Sequence, residues 1–244
     1  MKIDAKGMHY KELNKMIAKA IEEGEKTIDL INVNGQRYIA RSIREKVQIN
    51  IDGVPGNDLA IFLNGATIFT NSNAQDGVAN TMNEGKVVIR GDASDILGYG
   101  MRGGKLFIRG NAGYRVGIHM KAFKEKKPVI IVGGTAADFF GEYMAGGIII
   151  VLGLDKRDAQ PLVGNYVGTG MHGGVIYIRG EVEPHQLGKE VDVYDLDEED
   201  EKELRTHLGE YCKEFNLDLE ETMSKKFIKL IPVSHRPYGV LYAY

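Results

Sequence analysis

Short apolar runs, rich in Val and Ile and bounded by glycine, recur through the middle of the chain. They occupy residues 47–51, 66–70, 86–89, 105–108, 128–132, 148–151 and 175–178. Successive runs are offset by 19 or 20 residues in the regular part and by more where loops intervene. Runs of four or five residues, rich in Val and Ile, read as strands, because a helix would need a longer segment with period 3.6. Strands this short, recurring at this period, suit a solenoid in which each coil lays one strand beside the last in parallel. The predicted fold is therefore all-β, a right-handed parallel β-helix. With strands ~4.8 Å apart, about seven rungs would make a rod on the order of 34 Å long.

The polar and glycine positions between the runs are equally regular. Met82, Met101, Met144 and Met171 each precede a glycine by three residues (Gly85, Gly104, Gly147, Gly174), and each glycine opens a run. The pairs Gly103-Gly104, Gly146-Gly147 and Gly173-Gly174 mark one corner of the coil, where positive φ is expected. The methionines are expected to point inward, since an unbranched side chain fills a stacked core well. Two segments break the strand pattern. Residues 9–23 place Leu13, Met16, Ile17, Ala20 and Ile21 on one helical face closed by Gly24, and residues 197–215 do the same with Leu204, Leu208, Tyr211, Cys212 and Phe215. These helices are candidates to cover the two ends of the solenoid, whose terminal rungs would otherwise be open to aggregation. Residues 227–233 read as a strand or an extended tail. Asn34-Gly35 fits either a hairpin turn or an early coil corner. The expected organisation is an N-terminal helix and cap over 1–45, the glycine-repeat β-helix over 46–183, and an acidic helix and tail over 184–244.

Composition narrows the function. Glycine, at 31 of 244 residues, is about twice its usual share. With only 6 prolines it serves backbone geometry rather than a disordered tract. From residue 184 onward 8 Lys and Arg face 14 Asp and Glu, a net of −6, which leaves about +3 for the rest. No dense basic stripe with interleaved aromatics points to nucleic acid. The single cysteine, Cys212, excludes an internal disulfide framework, a cysteine-based zinc site and a cysteine-held iron–sulfur cluster in this chain. No apolar signal core or membrane-length run is present, so the expected location is cytoplasmic.

Individual candidates for chemistry are few. Gly98-Tyr-Gly100 and Gly168-Thr-Gly170 look like nucleotide-binding loops, but each leads into a strand, where a dinucleotide fingerprint opens a helix. The histidines (His9, His119, His172, His185, His207, His235) form no metal-ligand spacing. Cys212 lies on an apolar helix face and reads as a core residue. Arg90, Arg109 and Arg179 recur after the isoleucine of three runs, either paired with Asp92 or another acid or forming an anion- or partner-binding ridge. Asp138, Glu142 and Tyr143 read as a loop contact or a small polar site without a nucleophile–base pair. The acidic run Asp197 to Glu201 suits a helix N-terminus and is a solvated face or a dock for a basic partner. These readings assign no catalytic, cofactor-binding or metal-ligating residue.

The repeats resemble the glycine-rich β-helix domain of the glutamate synthase large (alpha) subunit. The most specific stretch runs from Asp138 through Glu142-Tyr143-Met144-Ala-Gly146-Gly147 into the following strand. Gly91-Asp92 through Gly98-Tyr-Gly100-Met101-Arg-Gly103-Gly104, and Gly164-Asn165-Tyr166 through Gly174, look like the neighbouring repeats. The chain lacks the family's amidotransferase and flavin-binding barrel. The resemblance therefore implies a stand-alone, non-catalytic scaffold subunit of a split glutamate synthase, serving glutamate biosynthesis and nitrogen assimilation. FMN and the iron–sulfur cluster would sit on a flavin-containing synthase subunit, and a glutamine amidotransferase subunit would be the second partner. A related β-helix, the C subunit of formylmethanofuran dehydrogenase, shares the Gly-Met-x-Gly-Gly repeats and is the alternative reading. A β-helix enzyme acting on polysaccharide fits less well, since the chain has no Trp and no aligned carboxylates along its strands.

Overall fold

Each apolar run of the repeat lands in one strand of a single stack. The computed structural model describes residues 1–158 and 160–233. His235 and the end of the expected helix-and-tail segment 184–244 lie outside them. Nine strands run parallel in chain order: β1 (Lys2–Asp4), β2 (Thr27–Asn34), β3 (Gln48–Val54), β4 (Asn64–Thr70), β5 (Glu84–Ile89), β6 (Lys105–Ile108), β7 (Val129–Val132), β8 (Ala145–Val151) and β9 (Gly173–Ile178). The register is continuous from Ile28 to Ile49, Ile68, Val87, Leu106, Ile130, Ile149 and Ile176, so one inward column runs up the whole stack, fully buried. The protein is a β-solenoid. Two strands precede the first expected rung, and Asn34-Gly35 is a coil corner rather than a hairpin, because β2 and β3 pair in parallel.

The methionine and glycine positions explain each other. Met82, Met101, Met144 and Met171 are fully buried, and Met120 fills the same column before β7. The second glycine of each corner pair lies against the methionine of the preceding coil. A Cβ at Gly104 would stand 2.5 Å from the Met82 Cε, and one at Gly174 the same distance from the Met144 Cε. The corner must therefore lack a side chain for the methyl to fit.

The two ends of the stack are closed by different elements. Helix α1 (Tyr10–Glu22) buries Leu13, Ile17 and Ala20 in the solenoid core, while β1 pairs along the free edge of β2. At the other end the closure is by strands. β11 (Ile228–Pro232) pairs antiparallel with β9, and β10 (Val191–Asp195) pairs antiparallel with β11 as the outermost strand. Its Asp192 and Asp195 place charge on that open edge, a common guard against edge-to-edge pairing.

Helix α2 (Glu198–Phe215) does not cap the far end. It lies along the outer face of the sheet, burying Leu204, Leu208, Tyr211 and Cys212 against Val88, Phe107, Ile131, Ile150 and Tyr177. This accounts for the run patterns. β3 alternates apolar with polar because its outer face meets water, whereas β7 and β8 are apolar at every position because both faces are buried. Polar contacts hold both ends of the helix. The buried Tyr177 hydroxyl donates to Asp200 (2.7 Å), and Lys229 reaches Asp197 (2.8 Å) and Asp200. Near the other end, Lys86 and Lys105 on adjacent strands both pair with Glu210, and Lys86 also with Glu214.

This docking predicts an acid response in two stages. Burial, with Lys105 nearby, holds the half-buried His207 below its usual 6.5. The docked helix therefore favours the neutral imidazole, and stability present above pH 6.5 declines as pH falls below it. The contacts of Lys229 and of the helix-cap amides with Asp197 lower that carboxyl to about 2. Its contribution is full above 3.8 and is lost as pH drops toward 2. Glu210, pushed up by burial, is nonetheless held below 4.5 by Lys105 and Lys86 and is lost over the same acid range. Urea midpoints at pH 8 and pH 5.5 should differ for the wild type and coincide for His207→Gln. A flat wild-type profile above pH 5 would contradict the assignment.

Candidate functional site

Opposite the sheet, the chain does something that glycine alone would ordinarily do. At three alternating positions in each coil, φ is between 51° and 73°. The first position is Tyr38, Asp58, Gly77, Ile96, Arg115, Phe139 and Tyr166 in successive coils. Two residues on come Ala40, Ala60, Ala79, Gly98, Gly117, Gly141 and Gly168, and two further on Ser42, Phe62, Thr81, Gly100, His119, Tyr143 and Gly170. The left-handed region costs an ordinary L-residue roughly 1–2 kcal/mol, and β-branched residues such as Ile96 and Thr81 are seldom found there. Hydrogen bonds between coils hold the conformation. Ile96 and Gly100 donate forward to Tyr114 (2.8 Å) and Ile118 (2.9 Å), while Gly98 between them donates back to Val78 (2.8 Å). The same alternation recurs along the stack and forms a second hydrogen-bonded face.

The three columns have different jobs. The middle one faces the core and is restricted to Ala and Gly, because a Cβ at Gly98 would run into the Ile130 side chain projecting from the sheet. The Gly98-x-Gly100 and Gly168-x-Gly170 loops are thus coil corners. The first and third columns turn outward and carry large side chains. Phe62, Ile96, Tyr143 and Tyr166 are exposed there, joined by Tyr99 and Tyr114 from neighbouring positions. The rings stack along the axis: His119 on Tyr143 (centroids 5.2 Å, 9° apart), Tyr99 edge-on to His119 (5.8 Å), and Phe139 on Tyr166 (4.9 Å, 14°). Arg115 lies over the Phe139 ring at 4.5 Å and pairs with the buried carboxylate of Glu142. An exposed ridge of stacked aromatics with Arg is the side-chain chemistry enriched in protein–protein contacts.

Of the residues singled out from sequence, Glu142 and Tyr143 belong to this face. Asp138 does not join them in a site; its Oδ1 accepts from the Asn165 backbone N–H (2.8 Å). That bond is one step of an Asx ladder, which also links Asp92 to Asn111 (2.7 Å) and Asp95 to Tyr114 (2.9 Å). The three arginines form no ridge. Arg90 sits over the Phe215 ring at 6.0 Å, Arg109 pairs with Asp155 at 2.5 Å, and the buried Arg179 donates to the Thr222 carbonyl at 2.7 Å, at the end of the short helix α3 (Leu219–Met223). Burial lowers the Arg179 pKa from its ordinary value. Cys212 is buried beside Thr222 (3.5 Å), and burial pushes its thiol up, away from nucleophilic use. His9 caps α1, accepting from the Lys11 N–H. Among the described residues no His, Cys, Asp and Glu side chains gather as a metal site, and no helix is long and apolar enough to cross a membrane.

Sequence reasoning missed Phe62, Ile96, Tyr99, Tyr114, Phe139 and Tyr166. The signal that could have found them was positional. They occupy, or adjoin, the offsets at which other coils carry Gly77, Gly100 or Gly170.

The comparisons with known proteins agree with this geometry. The chain is 50% identical over 248 residues to an uncharacterized protein of Methanocaldococcus jannaschii, covering 98% of this chain and 95% of that one. The family model described as the GXGXG motif matches residues 11–233. Glycine at alternate residues, as at Gly98 and Gly100 and at Gly168 and Gly170, takes up such left-handed backbone without strain, and this chain belongs to the GXGXG motif family.

Proposed function

We propose that this chain is a non-catalytic scaffold subunit of a split glutamate synthase, holding a glutamine amidotransferase subunit against a flavin- and iron–sulfur-containing synthase subunit in the cytoplasm. The observation that carries the reading is the exposed aromatic ridge on the left-handed face. A rigid solenoid presents Tyr99, Tyr114, Tyr143 and Tyr166 to solvent along its axis, while the nearby Asp92, Asp95, Arg115 and Glu142 are occupied in internal ladders and pairs. Membership of the GXGXG family and the resemblance of the Glu142-Tyr143-Met144-Ala-Gly-Gly segment to the glutamate synthase repeat support the choice of complex. In this reading glutamine hydrolysis and the flavin-dependent reduction belong to the partners, and this chain sets their separation and orientation.

Affinity purification of the chain from its native host, with mass spectrometry of what is retained, tests the proposal. Recovery of the amidotransferase and flavin synthase subunits is expected. Tyr99→Ala combined with Tyr166→Ala should weaken retention at least tenfold with an unchanged melting temperature, since exposed Tyr anchors carry interface energy rather than fold energy. Recovery of molybdenum or tungsten enzyme subunits instead would replace this reading with that of a formylmethanofuran dehydrogenase component.

A further inference from the structure

A groove of about 450 Å³ runs between α1 and the first coil, at the start of the left-handed face. Its floor is apolar: Ile17, Ala18 and Ile21 from the helix, Ala40 and Ile43 from the coil. Its rim is cationic, with Lys11, Lys15 and Arg41 all exposed and no acid among the lining residues. None of the three side chains has an ion-pair or hydrogen-bond partner among the described residues. Lys11 and Lys15 stand four apart on one helix face, an arrangement that mildly destabilises a helix unless an anion lies between them. Arg37, by contrast, is spent on the rings of Tyr10 (5.0 Å) and Tyr38 (5.8 Å) at one end.

The shape indicates what would fill it. Helix residues from Tyr10 to Ile21 line the groove, a span of roughly 16 Å at ~1.5 Å per residue. Long and open on one side, it matches two to three turns of a helix better than a small molecule, which a pocket would enclose. It is also continuous with the aromatic ridge, because Tyr38 and Ala40 are the first members of two of the left-handed columns. We infer that this groove docks an acidic amphipathic segment of a partner subunit, its apolar side on Ala18, Ile21 and the Tyr38 ring and its carboxylates on Lys11, Lys15 and Arg41. The inference rests on the scaffold reading above and names the contact by which one partner is held.

The full chain is used for the test, with a photo-crosslinking phenylalanine derivative in place of Tyr10, which lines the groove and already carries a ring, and two further variants. One is Lys11→Glu/Lys15→Glu/Arg41→Glu, which reverses the rim; the other is Ala18→Trp, which fills the floor. Both change exposed positions, and an unchanged melting temperature checks that each folds. The expected result has three parts. The residue at position 10 crosslinks to a partner segment with Asp or Glu beside apolar residues at helical spacing. Retention of that partner falls about tenfold in each variant, and in the wild type it weakens as salt is raised from about 50 mM to about 500 mM. Unchanged retention in both variants, a crosslinked segment without acids, or a crosslink to a second copy of this chain would overturn the groove assignment alone. If the wild type retains no partner, the scaffold reading and this inference fall together. Loss of a partner on changing the aromatic ridge but not the groove leaves the scaffold standing and removes the groove.

Discussion

Tyr211→Ala is expected to be the most damaging single truncation on the outer face of the sheet, at about 4 kcal/mol. The Tyr211 ring is fully buried between Phe107 (5.6 Å) and Phe215 (4.7 Å), and its hydroxyl donates to the Ile108 carbonyl at 2.9 Å. Removing it opens a cavity in the seam between α2 and the sheet, where neither a rigid helix nor hydrogen-bonded strands can close in. Tyr211→Phe should cost only about 1 kcal/mol. The Ile108 carbonyl keeps the Gly133 N–H (2.8 Å) as its other donor, so no acceptor is left bare. Urea denaturation followed by tyrosine fluorescence would separate the two. Similar losses for Ala and Phe would show that the hydroxyl, and not the ring, holds the helix.

Gly104→Ala is the second large effect, at about 3 kcal/mol. Two costs combine: a φ of 81° that alanine tolerates poorly, and a Cβ that would lie 2.5 Å from the Met82 Cε and 2.8 Å from the Gly85 carbonyl oxygen. Shortening Met82 removes the first contact without touching the dihedral or the carbonyl. In a Gly104→Ala background, Met82→Ala should therefore restore part of the loss, although Met82→Ala alone is destabilising because it empties a fully buried position. Simple additivity of the two changes in thermal melting would sink the proposed packing of methionine on glycine. The same experiment at Gly174 and Met144, which repeat the 2.5 Å contact, is an internal replicate.

Much of the fold is legible in the amino-acid sequence, and for a physical reason. A solenoid's information is local and repeated. Each coil needs apolar residues on its inner strand face, an inward methionine and a corner without side chains, and all three appear at fixed offsets. The two long helices are legible likewise, since α1 and α2 carry period-3.6 stripes and α2 opens with Asp197 capping the Glu199 and Asp200 amides. The candidate interface is much less so. Ile96, Phe139 and Tyr166 look like ordinary strand or loop residues, and nothing in their own preferences favours positive φ.

The amino-acid sequence by itself determined the period of the coil, the parallel strand stack, the inward methionines and the presence of both helices, because those follow from side-chain pattern within about one coil. Tertiary structure alone decided three things. It placed α2 along the sheet rather than over its end, since apolar stripes specify that a face is buried but not against what. It assigned Arg90, Arg109 and Arg179 to three unrelated partners, because equal offsets in a repeat do not give equal surroundings once Asp155, Phe215 and α3 are packed beside them. Lastly, it imposed left-handed backbone on Thr81, Ile96 and Tyr143, a conformation those residues resist alone and adopt only when the coils on either side supply the hydrogen bonds.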